Sequence, residues 1–566
     1  MREIHDESRA RRVSRVSRRD LLCGTLAAGA GGALGMVFTA GWLSRVAGTA
    51  MAQQAISGTL QAAWDEVQDN LDPQTARGNR NWWVLTELYD TLTYLPGYSL
   101  EAKPLLAESW TVTGKGTIYT FKLRRGIKFT TGSELTADAV KYSIDRMQMT
   151  KLGPLFLTVA FDRAEVVDPY TVRFILKYPY AAWPVILSHP AVCSIVDPKV
   201  VEAHGGIQEK KRNDYLSAST AGIGAWTIDR WDQGQRIVLV RNPHYWRGWN
   251  GQHLNRVVFE TVPEEETRLL RLEKGDVDIA TVSAPSLPGL EQRIARGHLP
   301  ILIEKTKNRQ ALLSLSTMQV NMNHQLLPTS DLNVRKGLSH AFNYSLFISK
   351  VLNGYAVRMA GMIPRGILGH VNDYPLVDFD LNKARQAFDA ASPQAKAELT
   401  KGLTFRYVPG YVLGQEGAVM WQQDLAKIGV RLNLEEINQA TLSSMQTSVP
   451  GVPLIEGRWV GDFPDADNFV TAARTDYWPP SGYGASFAGD AKTDGLIERG
   501  RLEQDPERRK AIYRELELYF RDQYSILMVA EPSGVLNKWN ARASWVGGFE
   551  YNPMFHPLFY DTFKQA

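Results

Sequence analysis

Cysteine is nearly absent from this 566-residue chain: only Cys23 and Cys193 occur, too few for a disulfide framework. With Cys23 in a leader, Cys193 stands alone between "HPAV" and "SIVDP" and reads as a small buried apolar residue. Enzyme signatures are also lacking. There is no G-x-S-x-G elbow, P-loop, H-E-x-x-H or Rossmann fingerprint, and Cys193 has no recognisable histidine partner. No metal site is expected either. Met318, Met322 and His324 of "TMQVNMNH" lack a neighbouring carboxylate or thiolate and read as packing. The chain therefore reads as a non-enzyme without cofactor. No low-complexity linker interrupts it beyond the first 52 residues, which suggests intimately joined lobes.

Net charge is also small, +4, with 64 basic and 60 acidic residues. The first 52 residues hold eight of the basic residues and four of the acidic ones, so the remainder balances at 56 of each. That gives no argument for a nucleic-acid partner, which would need a basic face on the folded domain. Residues 1–52 read as an export signal. "RARRVSRVSRRD" is a basic n-region, "LLCGTLAAGAGGALGMVFTAGWL" a weakly apolar run, and "AMA" at 50–52 a small-x-small cleavage site. Arg18 and Arg19 in "SRRDLL" give the twin-arginine pattern. Six glycines between Gly24 and Gly41 make the run a poor membrane anchor.

What is abundant is aromatic surface: 15 Trp and 22 Tyr. Most fill a core, but an aromatic ring with a polar edge also suits a ligand pocket. "TIYTFKLRRGIKF" alternates as a half-buried strand, and "TGSELTADAVKYSIDRM" switches to helical spacing with Val140, Ile144 and Met147 on one face. "QRIVLVRNPHYW" reads as a strand ending at Asn242-Pro243. "PEEETRLLRLEKG" reads as a helix with an acidic first turn, stopped by Gly275. "NVRKGLSHAFNYSLFISKVLNG" places Val334, Leu338, Ala341, Ile348 and Leu352 on one helical face, ending at Gly354. "DPERRKAIYRELELYF" opens with Asp505 as cap and Pro506 at the first helical position. Strands and helices alternate without fixed repeat, so the class is α/β or mixed α+β.

Seven stretches in order give a resemblance. They are residues 103–147, 222–246 ("GIGAWTIDRWDQGQRIVLVRNPHYW"), 272–280 ("LEKGDVDIA"), 334–364, 378–391, 461–469 ("GDFPDADNF") and 505–529. Together they resemble the extracellular solute-binding proteins of family 5, the dipeptide, oligopeptide and nickel binders of ABC importers. Three departures are visible: "TTG" at 130–132 where the family has an Asp-Gly, "GIGAW" with Trp226 where Tyr or Phe is common, and Asn343 where an Asp is usual.

The resemblance implies a two-lobed periplasmic binding protein fold whose lobes close on a ligand. It places lobe 1 at 53–311 with an extra subdomain at about 91–218, lobe 2 at 312–529, and a return to lobe 1 at 530–566. The hinge crossings would fall near 311–318 and 529–540. The implied function is a periplasmic, monomeric receptor that delivers a small molecule or peptide to permease and ATPase subunits in the inner membrane. An oligosaccharide, opine or nickel complex, or an exported hydrolase, are the alternatives.

For the site, the resemblance implies that Asp462 holds a ligand ammonium, with Trp459 three positions before it. A buried carboxylate needs a counter-charge, which a bound ammonium would supply. Asp465 and Asp467 read as turn and cap residues around Pro464. Arg458, Tyr483, Gly222, Gly224, Trp226, Trp82 and Trp83 complete the ligand-binding expectation. Glu456 stands where some oligopeptide binders carry an Arg, and Arg358 and Arg365 are weaker candidates for a ligand carboxylate.

Overall fold

The computed structural model describes residues 58–564, apart from 66–67, 98, 251, 284, 298, 300, 304–312, 374, 479–484, 534–540, 549–553 and 555–558. The leader 1–52 lies outside the described residues, and so do parts of both expected hinge segments.

Three sheets organise the chain. The first has seven strands, in the spatial order Ile301–Ile303, Ala541–Ala543, Ile279–Ala280, Thr59–Trp64, Arg256–Thr261, Arg236–Arg241, Trp226–Asp232. Thr59–Trp64 pairs in parallel with two of these, and the other ladders are antiparallel. One face carries Leu60, Ala62, Trp64, Ile237, Leu239, Val257 and Phe259 into a common core with the helix Asn79–Leu88. This is the alternation a half-covered sheet requires.

The second sheet has six strands: Ala356–Arg358, Ile526–Pro532, Ser316–Met322, Leu454–Val460, Leu403–Tyr407 and Leu432–Glu436. Its core gathers Val320, Met322, Trp421, Phe405 and Leu454 with the helices Leu332–His340 and Ala418–Ala426. Chain order thus takes the backbone from the first sheet to the second between Ile303 and Ser316, and back between Pro532 and Ala541.

The third sheet is a four-stranded antiparallel meander-like unit: Ala107–Thr113, Ile118–Leu123, Thr171–Leu176, Phe161–Asp168. The helix Ala137–Thr150 covers it, burying Val140, Ile144 and Met147, the face that the 3.6 period picks out. The class is mixed α/β, as the alternation of patterns predicts.

One expected helix is interrupted. The single face drawn through Val334, Leu338, Ala341, Ile348 and Leu352 is split between a helix Leu332–His340 and a second segment starting at Tyr344. All five residues are buried, so the apolar period is right. The break arises because Asn343 Oδ1 accepts the Leu346 N–H at 3.1 Å and starts a new helix. Asn343, a departure from the family pattern, thereby performs the capping that an Asp could. The other boundaries follow local chemistry: Gly275 closes Glu265–Lys274 at φ 77°, and Asp505 caps Pro506–Asp522 through the Arg508 N–H. Cys193 is fully buried, and burial pushes its thiol up to about 12. Among the described residues no helix is long and apolar enough to cross a membrane.

Candidate functional site

The strand Leu454–Val460 runs antiparallel to Ser316–Met322 and delivers the chain into the turn that holds the three aspartates. Thr317 lies opposite Trp459, and its Oγ1 accepts the Trp459 N–H at 3.2 Å. The Gly461 N–H donates to the Leu315 carbonyl at 2.8 Å, ending the ladder and starting the turn. A short helix, Ala466–Val470, follows.

The aspartates divide their tasks. Asp465 caps the short helix, its Oδ1 accepting the Asp467 N–H at 2.9 Å, and makes a two-pronged pair with Arg509 at 2.7 Å on each oxygen. Asp467, 2% exposed, pairs with Arg501 at 2.9 Å and accepts the Tyr180 hydroxyl at 2.7 Å. Both are compensated by buried guanidiniums. The capping role of Asp465 is the one expected from sequence. Partners 34 and 44 residues away in the chain could not be read from it.

Asp462 differs. It is half-buried, and among the described residues no cation pairs with it. Burial pushes its carboxyl up to about 6, opposed by a hydrogen bond from the Asn468 amide. Asn468 Nδ2 donates to Asp462 Oδ2 at 3.1 Å, while Asn468 Oδ1 accepts both the Asp462 N–H at 3.0 Å and the Trp459 indole N–H at 3.1 Å. A carboxylate surrounded by protein, partly open and without a counter-ion, can bind a cation; the adjacent indole can offer it a π face.

The structure brings Asp462 and Trp459 together through Asn468 and distributes the other expected residues elsewhere. Arg458 and Trp459 alternate to opposite faces of their strand. Arg458 is exposed, its guanidinium 4.7 Å from the Tyr411 ring centroid. Glu456, two residues before it, is buried; burial pushes its carboxyl up to about 7, and it accepts the Val408 N–H at 3.3 Å. Arg358 lies 3.7 Å over the Tyr344 ring and donates to the Val377 carbonyl, and Arg365 pairs with Glu531 at 3.1 Å. Tyr483 lies outside the described residues.

The first-sheet candidates are packed into the core. Trp226 is fully buried against Trp249, and Trp83, 6% exposed, packs against Trp64. Trp82 donates its indole N–H to the Ala76 carbonyl and meets the edge of His189. Gly222 and Gly224 provide close backbone approach, but to the protein's own chain: a Cβ on Gly224 would stand 2.3 Å from the Leu88 carbonyl carbon, and one on Gly222 2.4 Å from the Leu88 oxygen. Gly224→Ala should therefore lower folding stability by ~1–3 kcal/mol in urea denaturation. A separate cavity of about 170 Å3, lined by Glu87, Asp90, Tyr245, Arg247 and Tyr560 among others, contains none of the expected site residues.

The same turn also touches the four-stranded unit. Phe463, 4% exposed, joins the core that contains Phe121, Phe174 and Trp183, and Tyr180 bonds Asp467 from that side. The turn thus links the second and third sheets at the position where Asp462 sits.

Comparison with known proteins settles the family. The model of the bacterial extracellular solute-binding proteins, family 5, matches residues 101–479, well over half of the chain. The chain belongs to that family. It is 26% identical over 499 residues to the probable D,D-dipeptide-binding periplasmic protein DdpA of Escherichia coli K12, covering 86% of this chain and 90% of that one. It is also 26% identical to the di/tripeptide-binding protein 2 of Pseudomonas aeruginosa, over 88% of this chain and 94% of that one. Among solved structures, the periplasmic binding protein DppA of Helicobacter pylori in complex with the peptide STSA superposes with a TM-score of 0.75 at 22% identity, covering 91% of this chain and all of that one. The fold is that of the two-lobed periplasmic binding proteins. The solute-binding protein described here thus carries its three sheets in an architecture shared with these structures.

Proposed function

We propose that this solute-binding protein is the capturing component of an ABC importer: it encloses a small peptide or other amino-bearing solute between its lobes and presents it to permease and ATPase subunits. The observation that carries this reading is the partly open carboxylate of Asp462 beside Trp459, which no cation among the described residues compensates. It is supported by relatives named for binding dipeptides and tripeptides. Lobe 1 is residues 53–311 with the return 530–566, and lobe 2 is residues 312–529. The ligand's ammonium donates charge-assisted hydrogen bonds to Asp462 and lies against the face of the Trp459 ring. Binding involves no bond making or breaking, so the protein is not an enzyme. Residues 1–52 direct it through the twin-arginine route to the periplasm, where it works as a monomer.

Ligand contacts with both lobes would shift the population toward a closed form. A calorimetric panel of free dipeptides, including L-Ala-L-Ala and D-Ala-D-Ala, against their N-acetyl derivatives tests the ammonium requirement. At least one free dipeptide should bind, and its acetylated form should bind at least ~30-fold more weakly, the loss expected when a buried charge is left unpaired. Equal affinity for the two forms would refute the ammonium reading.

A further inference from the structure

We infer that Asn468 is the positioning residue of the amine site: its single side-chain amide fixes, at once, the carboxylate of Asp462 and the indole of Trp459. The inference deepens the proposed function and rests on its reading of Asp462 and Trp459 as ligand groups.

Asn468 is 3% exposed, so its amide must find partners within the protein. The two N–H donors aimed at one end, from Trp459 at 3.1 Å and Asp462 at 3.0 Å, require an oxygen there. That fixes the amide orientation and turns Nδ2 toward Asp462 Oδ2 at 3.1 Å. Three consequences follow. The indole plane is held by its only polar atom. The turn from Trp459 to Asp462 is closed on itself. One carboxylate oxygen of Asp462 is engaged from within the protein, while among the described residues nothing donates to its Oδ1, which is left for a ligand.

The amide is itself held in place. Asn468 sits in the helix Ala466–Val470, whose start is capped by Asp465. Asp465 is locked to Arg509, and Asp467 to Arg501 and to the Tyr180 hydroxyl. Tyr513, Tyr178, Arg474 and Glu498 also act on these pairs, and each of the two neighbouring carboxylates is paired. Among the described residues, the Asn468 amide is the one group besides burial that perturbs Asp462. Sequence reasoning singled out the three aspartates and passed over Asn468, because an Asn inside "DADNF" reads as ordinary turn chemistry. Its signal is spatial: it stands six residues after Asp462 and nine after Trp459, close to both only when the turn folds back.

The experiment reads Asp462 directly. The carboxyl carbon of Asp462 is followed by NMR against pH in full-length protein labelled with 13C-aspartate, assigned with Asp462→Asn, in wild type, Asn468→Ala and Asn468→Asp. The Trp459 indole N–H resonance, assigned with Trp459→Phe, and L-Ala-L-Ala affinity are recorded on the same samples. Asn468→Asp keeps the size and an acceptor oxygen while exchanging the donor for a carboxyl beside Asp462, which raises the Asp462 midpoint further by like-charge repulsion and guards against a failure of Asn468→Ala to fold. The inference expects the Asp462 midpoint to rise above its wild-type value near 6 by at least half a pH unit in both variants, with a shift of the Trp459 indole N–H resonance in Asn468→Ala. If the ligand reading also holds, L-Ala-L-Ala affinity at pH 7.5 falls about tenfold in Asn468→Ala. A raised midpoint with unchanged dipeptide affinity upholds the positioning role and overturns the reading of Asp462 as the ligand group. An unmoved midpoint in both variants overturns the inference, whatever the affinity does.

Discussion

Replacing Arg146 with alanine should cost about 3–5 kcal/mol of folding stability, because it strands a buried carboxylate. Arg146 lies on the helix Ala137–Thr150 and is 1% exposed; Asp72, in the segment after the first strand, is fully buried. The two guanidinium nitrogens Nη1 and Nη2 meet the two Asp72 oxygens at 2.6 Å each, and Nη1 also meets Gln74 Oε1 at 2.7 Å. The Asn213 N–H donates to the same carboxylate at 2.8 Å. Three chain segments therefore converge on one ion pair, and the helix that covers the four-stranded unit is tied through it to the segment that follows the first strand. With the cation removed, the Asp72 carboxylate keeps the Asn213 donor but has no counter-charge in a site that excludes water. The loss should appear as a lower urea midpoint with unchanged slope. The double change Arg146→Met with Asp72→Leu should recover much of it, since neither partner is then left charged. A loss below about 1 kcal/mol in Arg146→Ala would mean that solvent reaches Asp72 after all.

The second large effect concerns binding. Asp462→Ala should weaken an amino-bearing dipeptide by about 2 kcal/mol or more, roughly 30-fold, by removing the counter-charge of its ammonium. A pH dependence accompanies it. The Asp462 carboxyl titrates near 6, raised by burial. Above that value the site is anionic, so affinity should be flat with pH; below it the proton competes with the ligand and affinity should fall. In Asp462→Asn the affinity should be weak and independent of pH in this range. Folding follows the linked sign. A carboxyl whose folded value lies above its ordinary one contributes stability that is present below about 4 and is lost as pH rises through about 6. A bound ammonium reverses that loss, so the rise in melting temperature on adding dipeptide should be larger at pH 7.5 than at pH 5. Calorimetry across pH checks both, and an affinity that keeps rising as pH drops from 7 to 5 would contradict the assignment.

Local patterns in the sequence announced much of this architecture. The apolar face of Ala137–Thr150, the Gly275 stop and the Asp505-Pro506 start depend on neighbours within a turn or two, and such rules are readable in one dimension. The interruption at Asn343 is not legible in the pattern, because the apolar period continues across it while one side-chain hydrogen bond restarts the helix. The glycines of "GIGAW", expected at a ligand, approach the Leu88–Tyr89 backbone of the protein itself. Trp82, Trp83 and Trp226 show the limit of composition: a ring that could face a ligand and a ring that fills a core look alike until the opposite sheet is placed. Within the candidate site, Asp462 and Trp459 came from family resemblance, and Asp465 from turn chemistry. Arg501, Arg509, Tyr180 and Asn468 required the fold, since each meets its partner across a reversal or between sheets.

Capture by closure is tested most directly by small-angle X-ray scattering of the purified protein without and with a saturating dipeptide. A radius of gyration that falls on saturation is the predicted result. An unchanged scattering curve at a concentration where calorimetry shows the dipeptide fully bound would contradict it.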